Sequence, residues 1–263
     1  MKFTILGCGS SMGVPRSDGF FGKCDPKNKK NYRTRCSALI QTKTENILID
    51  TSPDLRQQLI TNKVKKIDKV LYSHMHADQT HGINDLRVFY IQNKKTIPVY
   101  GDNLTRKYLF NTFKYCFVNY NKEYPATLKL NSISKNIIIN DGKKKIKIRS
   151  VKVRHGSVDS ICYIIDKKIA YISDISEFSK KDFKYFKNLN YLVIDCLWFR
   201  HHPSHLNYEK CLNYLKIFKP KKTILTNLHT DMDYNSLLRI LPKNIKPAYD
   251  NMKIKLWIQK KLS

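Results

Sequence analysis

No stretch of the 263-residue chain is apolar for long enough to cross a bilayer, which argues against a membrane-spanning protein. The opening Met1-Lys2-Phe3-Thr4-Ile5-Leu6-Gly7 is too short, and too quickly broken by glycine, to be a signal peptide, so a cytoplasmic location is expected. Cysteine is present in an odd number, seven, scattered along the chain; this speaks against a disulfide framework and for reduced thiols. No internal repeat and no linker-like shift in composition divides the sequence. One domain over 1–263 is expected, and a hydrophobic content of 41% suffices for a sizeable core. Acidic residues are scarce: 21 Asp and Glu face 49 Lys and Arg, for a net charge of +28. Such a charge admits a nucleic-acid partner, but the lysines are dispersed and no basic patch interleaved with aromatics is visible. Composition is therefore the favoured explanation. A positive field would in either case gather a phosphorylated substrate.

What the chain does have is concentrated in one stretch, His74-Met75-His76-Ala77-Asp78-Gln79-Thr80-His81-Gly82. It follows Val70-Leu71-Tyr72, which reads as a short buried strand. A strand that ends in closely spaced ligands delivers them to one point at the end of a sheet. His74 and His76 are two apart and face the same side of an extended segment. Neutral imidazole suits zinc, manganese or iron, and Asp78 adds a hard oxygen suited to a second ion.

Other ligand-type residues also close strands. Lys145 to Val153 alternates apolar and basic residues and is aimed at His155. Ile169 to Ile172 is a strand ending at Ser173-Asp174. Tyr191 to Asp195 is a strand that opens onto a His-rich loop containing His201, His202 and His205, and Lys222 to Thr226 one that leads to Asn227-Leu228-His229. Asn46 to Asp50 ends in a carboxylate that either supports a metal-bound His from behind or bonds loop amides. Further elements are a first strand from Lys2 to Leu6, a strand from Ser37 to Thr42, and a helix capped by Thr51 or Ser52 with Pro53 at its first turn. Helices are read over 83–92, 103–113, 207–218 and 236–241, and the closing strand over 252–258.

The His74 to Asp78 stretch resembles the His-x-His-x-Asp-His signature of the metallo-β-lactamase-fold hydrolases. Its continuation Asn84-Asp85-Leu86-Arg87, and the loop Gly7-Cys8-Gly9-Ser10-Ser11-Met12-Gly13-Val14-Pro15, are similar to the branch containing the phosphoribosyl cyclic phosphodiesterase of the carbon–phosphorus lyase pathway. The likeness covers essentially the whole chain. It implies an α/β fold of the αββα sandwich type, and a ligand order of paired His, His, Asp and C-terminal His. On this chain those are His74, His76, Asp78, His155, Asp174 and His229. Two positions depart. Gln79 stands where the signature has its last His, and its carbonyl would be a weaker ligand for a second ion. Asn227 stands where many relatives have the C-terminal His; His229 would point the same way if the backbone stays extended. Cys24 stands without the further thiols that a four-ligand structural zinc requires.

The resemblance further implies one or two divalent ions, zinc or manganese, and hydrolysis by water activated at the metal with Asp78 orienting it. His205 takes the place of the general acid, with His201 and His202 as rivals. Arg35 and Arg87 are candidates to grip a phosphate, and the Gly7 to Pro15 loop to present N–H groups to an anion. The expected function is a metal-dependent phosphodiesterase acting on a small, phosphorylated, in the related branch cyclic, ester. The alternatives are an RNA-processing nuclease of the same fold and a non-catalytic metal-binding protein. A homodimer is compatible with the sequence, and no membrane partner is expected.

Overall fold

Most strands of this chain carry apolar side chains on both faces, so each must be covered twice. In chain order the first half comprises β1 (Lys2–Gly7), β2 (Ser37–Gln41), β3 (Asn46–Ile49), α1 (Leu55–Thr61), β4 (Lys69–Leu71), α2 (Ala77–Thr80), α3 (Arg87–Asn93), β5 (Ile97–Gly101), α4 (Asn103–Thr112) and β6 (Leu128–Ser132). The second half comprises β7 (Asn136–Asp141), β8 (Lys144–His155), β9 (Val158–Ile165), β10 (Ile169–Ile172), β11 (Tyr191–Asp195), α5 (Tyr208–Phe218), β12 (Lys222–Thr226), α6 (Tyr234–Ile240), β13 (Ile245–Pro247) and β14 (Met252–Lys255). The computed structural model describes residues 1–256. The closing strand expected over 252–258 thus ends at Lys255, and Trp257 and Ile258 lie outside the described residues.

The strands form two seven-stranded sheets, ordered β14-β1-β2-β3-β4-β5-β6 and β13-β12-β11-β10-β9-β8-β7. Alternation distributes their side chains over three cores. Phe3, Ile5, Ile40, Ile47 and Ile49 of the first sheet meet Ile161, Tyr163, Ile169, Tyr171 and Val193 of the second in a core between the sheets. The intervening residues Leu6, Leu39, Leu48 and Val70 face outwards and are covered with Leu55, Phe89 and Leu109 of α1, α3 and α4. On the second sheet Cys162, Ile164, Ala170, Leu192 and Ile194 are covered with Cys211, Leu215 and Leu237 of α5 and α6. Helix, sheet, sheet, helix is the αββα order that the resemblance implies.

Strand direction places the functional residues. β3 through β6 run parallel, as do β10 through β13. β8 and β10 are both antiparallel to β9 and so share a direction. Residues after β4, β8, β10, β11 and β12 therefore emerge at carboxyl ends of strands, where open α/β sheets bind ligands.

Local differences from the sequence reading have physical reasons. The helix expected at Pro53 begins at Leu55, because the Ser52 hydroxyl accepts from the Asp54 amide and spends a turn before the helix. Asp102 caps α4, accepting from Thr105 N. The 83–92 segment is a 3₁₀ turn, Ile83–Leu86, followed by α3. Gly82 has to be glycine: a Cβ there would stand 2.0 Å from the Ser52 carbonyl oxygen.

Candidate metal centre

The segment leaving β4 carries His74 and His76 to the mouth of the molecule, and β8 delivers His155 from the other sheet. His74 Nε2 lies 2.9 Å from His76 Nδ1, and His155 Nε2 lies 3.2 Å from the same His76 nitrogen. Ligand atoms of the three imidazoles all lie within 4.8 Å of one another, as do those of His155, Asp174 and His205. His74 and His155 are buried, whereas His76 is exposed, so the cluster opens to solvent on one side.

The rings of His155 and His74 are oriented from behind, and for His155 the tautomer is set as well. Ser204 O is 2.7 Å from His155 Nδ1, and a carbonyl can only accept. Nδ1 therefore carries the hydrogen, and the Nε2 lone pair faces the other imidazoles. His74 Nδ1 is 3.0 Å from Ser73 Oγ, which likewise leaves Nε2 towards the cluster. Burial, with the neighbouring imidazoles, holds His74 neutral with its pKa down at about 3. Three imidazole nitrogens with carboxylate oxygens beside them fit a divalent ion: imidazole suits zinc, and oxygen donors admit manganese.

The carboxylates have separate surroundings. Asp174 is buried; although burial opposes ionisation, His74, His155 and His205 hold its carboxyl below the usual range. Asp78 is pushed up to about 7 by burial and by Asp174. The two share one donor, Gln79 Nε2, at 3.0 Å from Asp78 Oδ2 and 3.2 Å from Asp174 Oδ2. Asp50 does not touch an imidazole; its Oδ1 accepts from Ser73 N at 2.7 Å, the loop-amide role.

His205 comes from the loop after β11. Its Nδ1 donates to Asp195 Oδ2 at 2.8 Å, and its ring centroid is 4.7 Å from that of His155. Burial alone would lower its pKa, but Asp195, then Asp174 and Asp78, raise it to about 9. His202 packs beside it at 5.0 Å between centroids, and His201 is exposed. The role of Asp195 went unread in the sequence. The available signal was its position, a carboxylate closing a buried strand as Asp174 does after β10.

Of the expected ligands, Asp78 belongs to neither group and reaches Asp174 only through Gln79, and His229 is not brought to the cluster at all, contrary to expectation. Asn227 has φ of +60°, so the chain turns where an extended path was required. Asn227 itself reaches inward, its Nδ2 at 3.0 Å from Ser173 O and 3.4 Å from Asp174 Oδ1. His229 instead stacks flat on Trp198, with centroids 4.5 Å apart, and its Nδ1 accepts from Asp231 N.

The other anion-binding candidates are largely committed elsewhere. Arg35 bonds Asp54 through Nε at 2.7 Å and Nη2 at 2.6 Å. It lines a cavity of about 1030 Å³ with Arg16, Lys29 and Lys30, and lies within electrostatic reach of Asp78. Arg87 lines a separate cavity of about 690 Å³ among Tyr90, Tyr115 and Tyr124. In the Gly7 to Pro15 loop the amides of Gly9, Ser10, Gly13 and Val14 are taken by the carbonyls of Thr34, Leu228, Ser10 and Arg33. That loop packs against the body of the protein and does not present those amides to an anion. Cys24 is buried against Arg33, and the only groups of three ligand-type residues among the described residues are the two above, neither of which contains a cysteine. No helix among the described residues is long and apolar enough to cross a membrane.

The family described as "Beta-lactamase superfamily domain" matches residues 45–227, well over half of the chain. The chain belongs to the beta-lactamase superfamily. Its metallo-β-lactamase fold is shared with a diphosphatase from the PhnP family, whose crystal structure superposes with a TM-score of 0.85 at 27% identity over 98% of both chains. The metallo-β-lactamase-fold protein YhfI of Bacillus subtilis gives a TM-score of 0.72 at 16% identity, over 96% of this chain and 98% of that one, a likeness of fold alone. A Porphyromonas gingivalis (strain ATCC BAA-308 / W83) protein named octanoyltransferase is 28% identical over 257 residues, which are 96% of this chain and 51% of that protein. The chain spans about half the length of that relative.

Proposed function

We propose that the chain is a metal-dependent hydrolase, one domain over 1–263, that cleaves a small phosphodiester such as a cyclic phosphoribosyl ester. The observation that carries this reading is the convergence of the His74, His76 and His155 ligand nitrogens beside Asp174 and the Asp195-bonded His205. The 27% identity to a diphosphatase along nearly the full length supports a phosphorylated substrate. So do the net charge of +28 and the cavity lined by Arg16, Lys29 and Lys30.

His74, His76, His155 and Asp174 would hold a divalent ion, zinc or manganese, which would supply Lewis acidity and favour a nucleophilic oxygen near neutral pH. The rest falls to the protein's own groups. The exposed side of His76 admits water and substrate. Asp78 accepts a hydrogen bond from the attacking water and orients it. Because Asp195 holds Nδ1–H of His205, Nε2 is the nitrogen that delivers a proton to the leaving oxygen.

Metal analysis of the purified protein, paired with a screen of phosphodiesters, cyclic phosphoribosyl esters and RNA, tests the proposal. Bound zinc or manganese with turnover of small diesters is the expected result. Turnover of RNA alone would favour the nuclease, and metal without turnover of any substrate would favour a binding protein.

A further inference from the structure

We propose that the centre takes one divalent ion, and that the amide groups of Gln79 and Asn227 close the neighbouring position where a second ion would sit. The inference rests on the metal-dependent reading above and concerns how the same site is filled.

Two carboxylates side by side, Asp78 and Asp174, normally need a cation between them. Here the space is held by one NH₂ group. Gln79 Nε2 has two hydrogens, and its two carboxylate acceptors lie at 3.0 and 3.2 Å. Asn227 Nδ2 approaches the remaining oxygen of Asp174 at 3.4 Å while donating to Ser173 O at 3.0 Å. Asp174 is thus flanked by an amide nitrogen on each oxygen.

Gln79 is not free to turn over, because reversal would set its Oε1 against both carboxylates. Asn227 Nδ2 also lies 3.1 Å from His205 Nδ1; reversal would let Asn227 Oδ1 accept there but would set it against both Ser173 O and Asp174. As they stand, Gln79 Oε1 is buried without a partner, a cost the carboxylate contacts must outweigh. The residues that carry them are also held. Gln79 is fully buried, its main-chain carbonyl accepts from Thr51 N at 2.8 Å, and its main-chain N–H donates to His76 O at 3.0 Å. Asn227 is 2% exposed, in the left-handed conformation that Asn tolerates.

An ion entering between Asp78 and Asp174 would have to displace the Gln79 NH₂ group and accept, at best, one amide carbonyl in its place. Such a carbonyl is a poor ligand for zinc. The three-imidazole position has no such obstruction.

The test is the metal-to-protein ratio after loading with excess zinc or manganese and desalting. It is followed for manganese by electron paramagnetic resonance, which separates isolated from spin-coupled ions without reference to turnover. The wild type is expected to retain about one ion per chain with an uncoupled signal. The Gln79→His/Asn227→His double variant is expected to retain about two, with a coupled signal. Should that variant fold poorly, Gln79→Glu/Asn227→Asp supplies oxygen ligands at nearly the same volume and is expected to give the same gain. Two coupled ions in the wild type would overturn the inference. One ion in the wild type and in both folded variants would overturn the role given to the amides. No ion in any of the proteins would overturn the metal-dependent reading itself.

Discussion

His205 and Asp195 form a buried pair in which the carboxylate oxygen Oδ2 accepts both His205 Nδ1–H at 2.8 Å and the Ile175 amide at 3.0 Å. The backbone bond fixes the carboxylate, and the carboxylate fixes the ring. If His205 serves as the acid, His205→Ala should leave metal content unchanged and slow an ester with an alkoxide leaving group by about a hundredfold or more. A nitrophenyl ester, whose leaving group needs no proton, should be cleaved almost as before. Equal slowing of both esters would show positioning in place of proton delivery, and loss of metal would make His205 a ligand.

The same pair sets a pH dependence. Asp195 and the nearby carboxylates raise His205 to about 9 against the effect of burial, so its acid form persists through neutral pH and is lost as pH rises past that value. Asp195→Asn removes the main stabilising charge. Its alkaline limb in kcat should move to lower pH, with activity at neutral pH down by about ten- to a hundredfold. An unmoved limb would mean that another group titrates.

Ligand substitutions should separate cleanly. His74→Ala and His155→Ala each remove one of three converging nitrogens, and either is expected to abolish most metal retention on desalting. Asp174→Ala should do the same. His229→Ala, which removes a ring stacked on Trp198, should leave metal content as in the wild type. Metal loss in His229→Ala would overturn its exclusion from the centre.

The bidentate pair of Arg35 and Asp54 makes a stability prediction. Burial raises the Asp54 carboxyl, but the bonds from Arg35 outweigh it and bring the pKa below its ordinary 3.8. A carboxylate depressed in the folded state stabilises above the unfolded pKa, and that contribution disappears as pH falls through the folded one. Asp54→Asn should therefore be less stable than the wild type by about 1 kcal/mol at neutral pH. Chemical denaturation at a series of pH values should show the gap closing below the ordinary carboxylate range. A gap that persists at the lowest pH would assign the effect to packing.

Gly82→Ala would force a Cβ to 2.0 Å from Ser52 O, a backbone atom that cannot swing aside as a side-chain tip would. A cost of about 1–3 kcal/mol is expected, read as a lower midpoint in urea. The segment that is pushed carries Gln79 and Asp78, so metal retention should fall with it. An unchanged midpoint would mean that the loop relaxes freely.

Much of this was legible in the sequence, for identifiable reasons. The strands Ile169–Ile172, Tyr191–Asp195 and Lys222–Thr226 are short apolar runs ended by polar residues, and the structure has them with those bounds. His74, His76, His155 and Asp174 stood out because each follows such a run. β6 and β7 were not seen, because Leu128–Ser132 and Asn136–Asp141 are part-polar strands towards the far edges of the two sheets, without a ligand or cap to mark them. His229 was misjudged because its direction depends on the φ of Asn227, a single torsion that composition does not reveal. The partners of Asp195 and Ser204 are ten and 49 residues away in the chain, and only the packed loops bring them together.

The division of the strands between two sheets carries a mechanical consequence. β1 through β6 lie in one sheet and β7 through β13 in the other, so His74 and His76 belong to one slab and His155 and Asp174 to the opposite one. An ion gripped by all of them would be a rivet through the seam. Its affinity and the clamping of the two slabs are then a single thermodynamic quantity, and slack introduced at the seam, as by trimming Phe3 or Tyr171, would loosen the rivet from a distance without removing any residue that touches it.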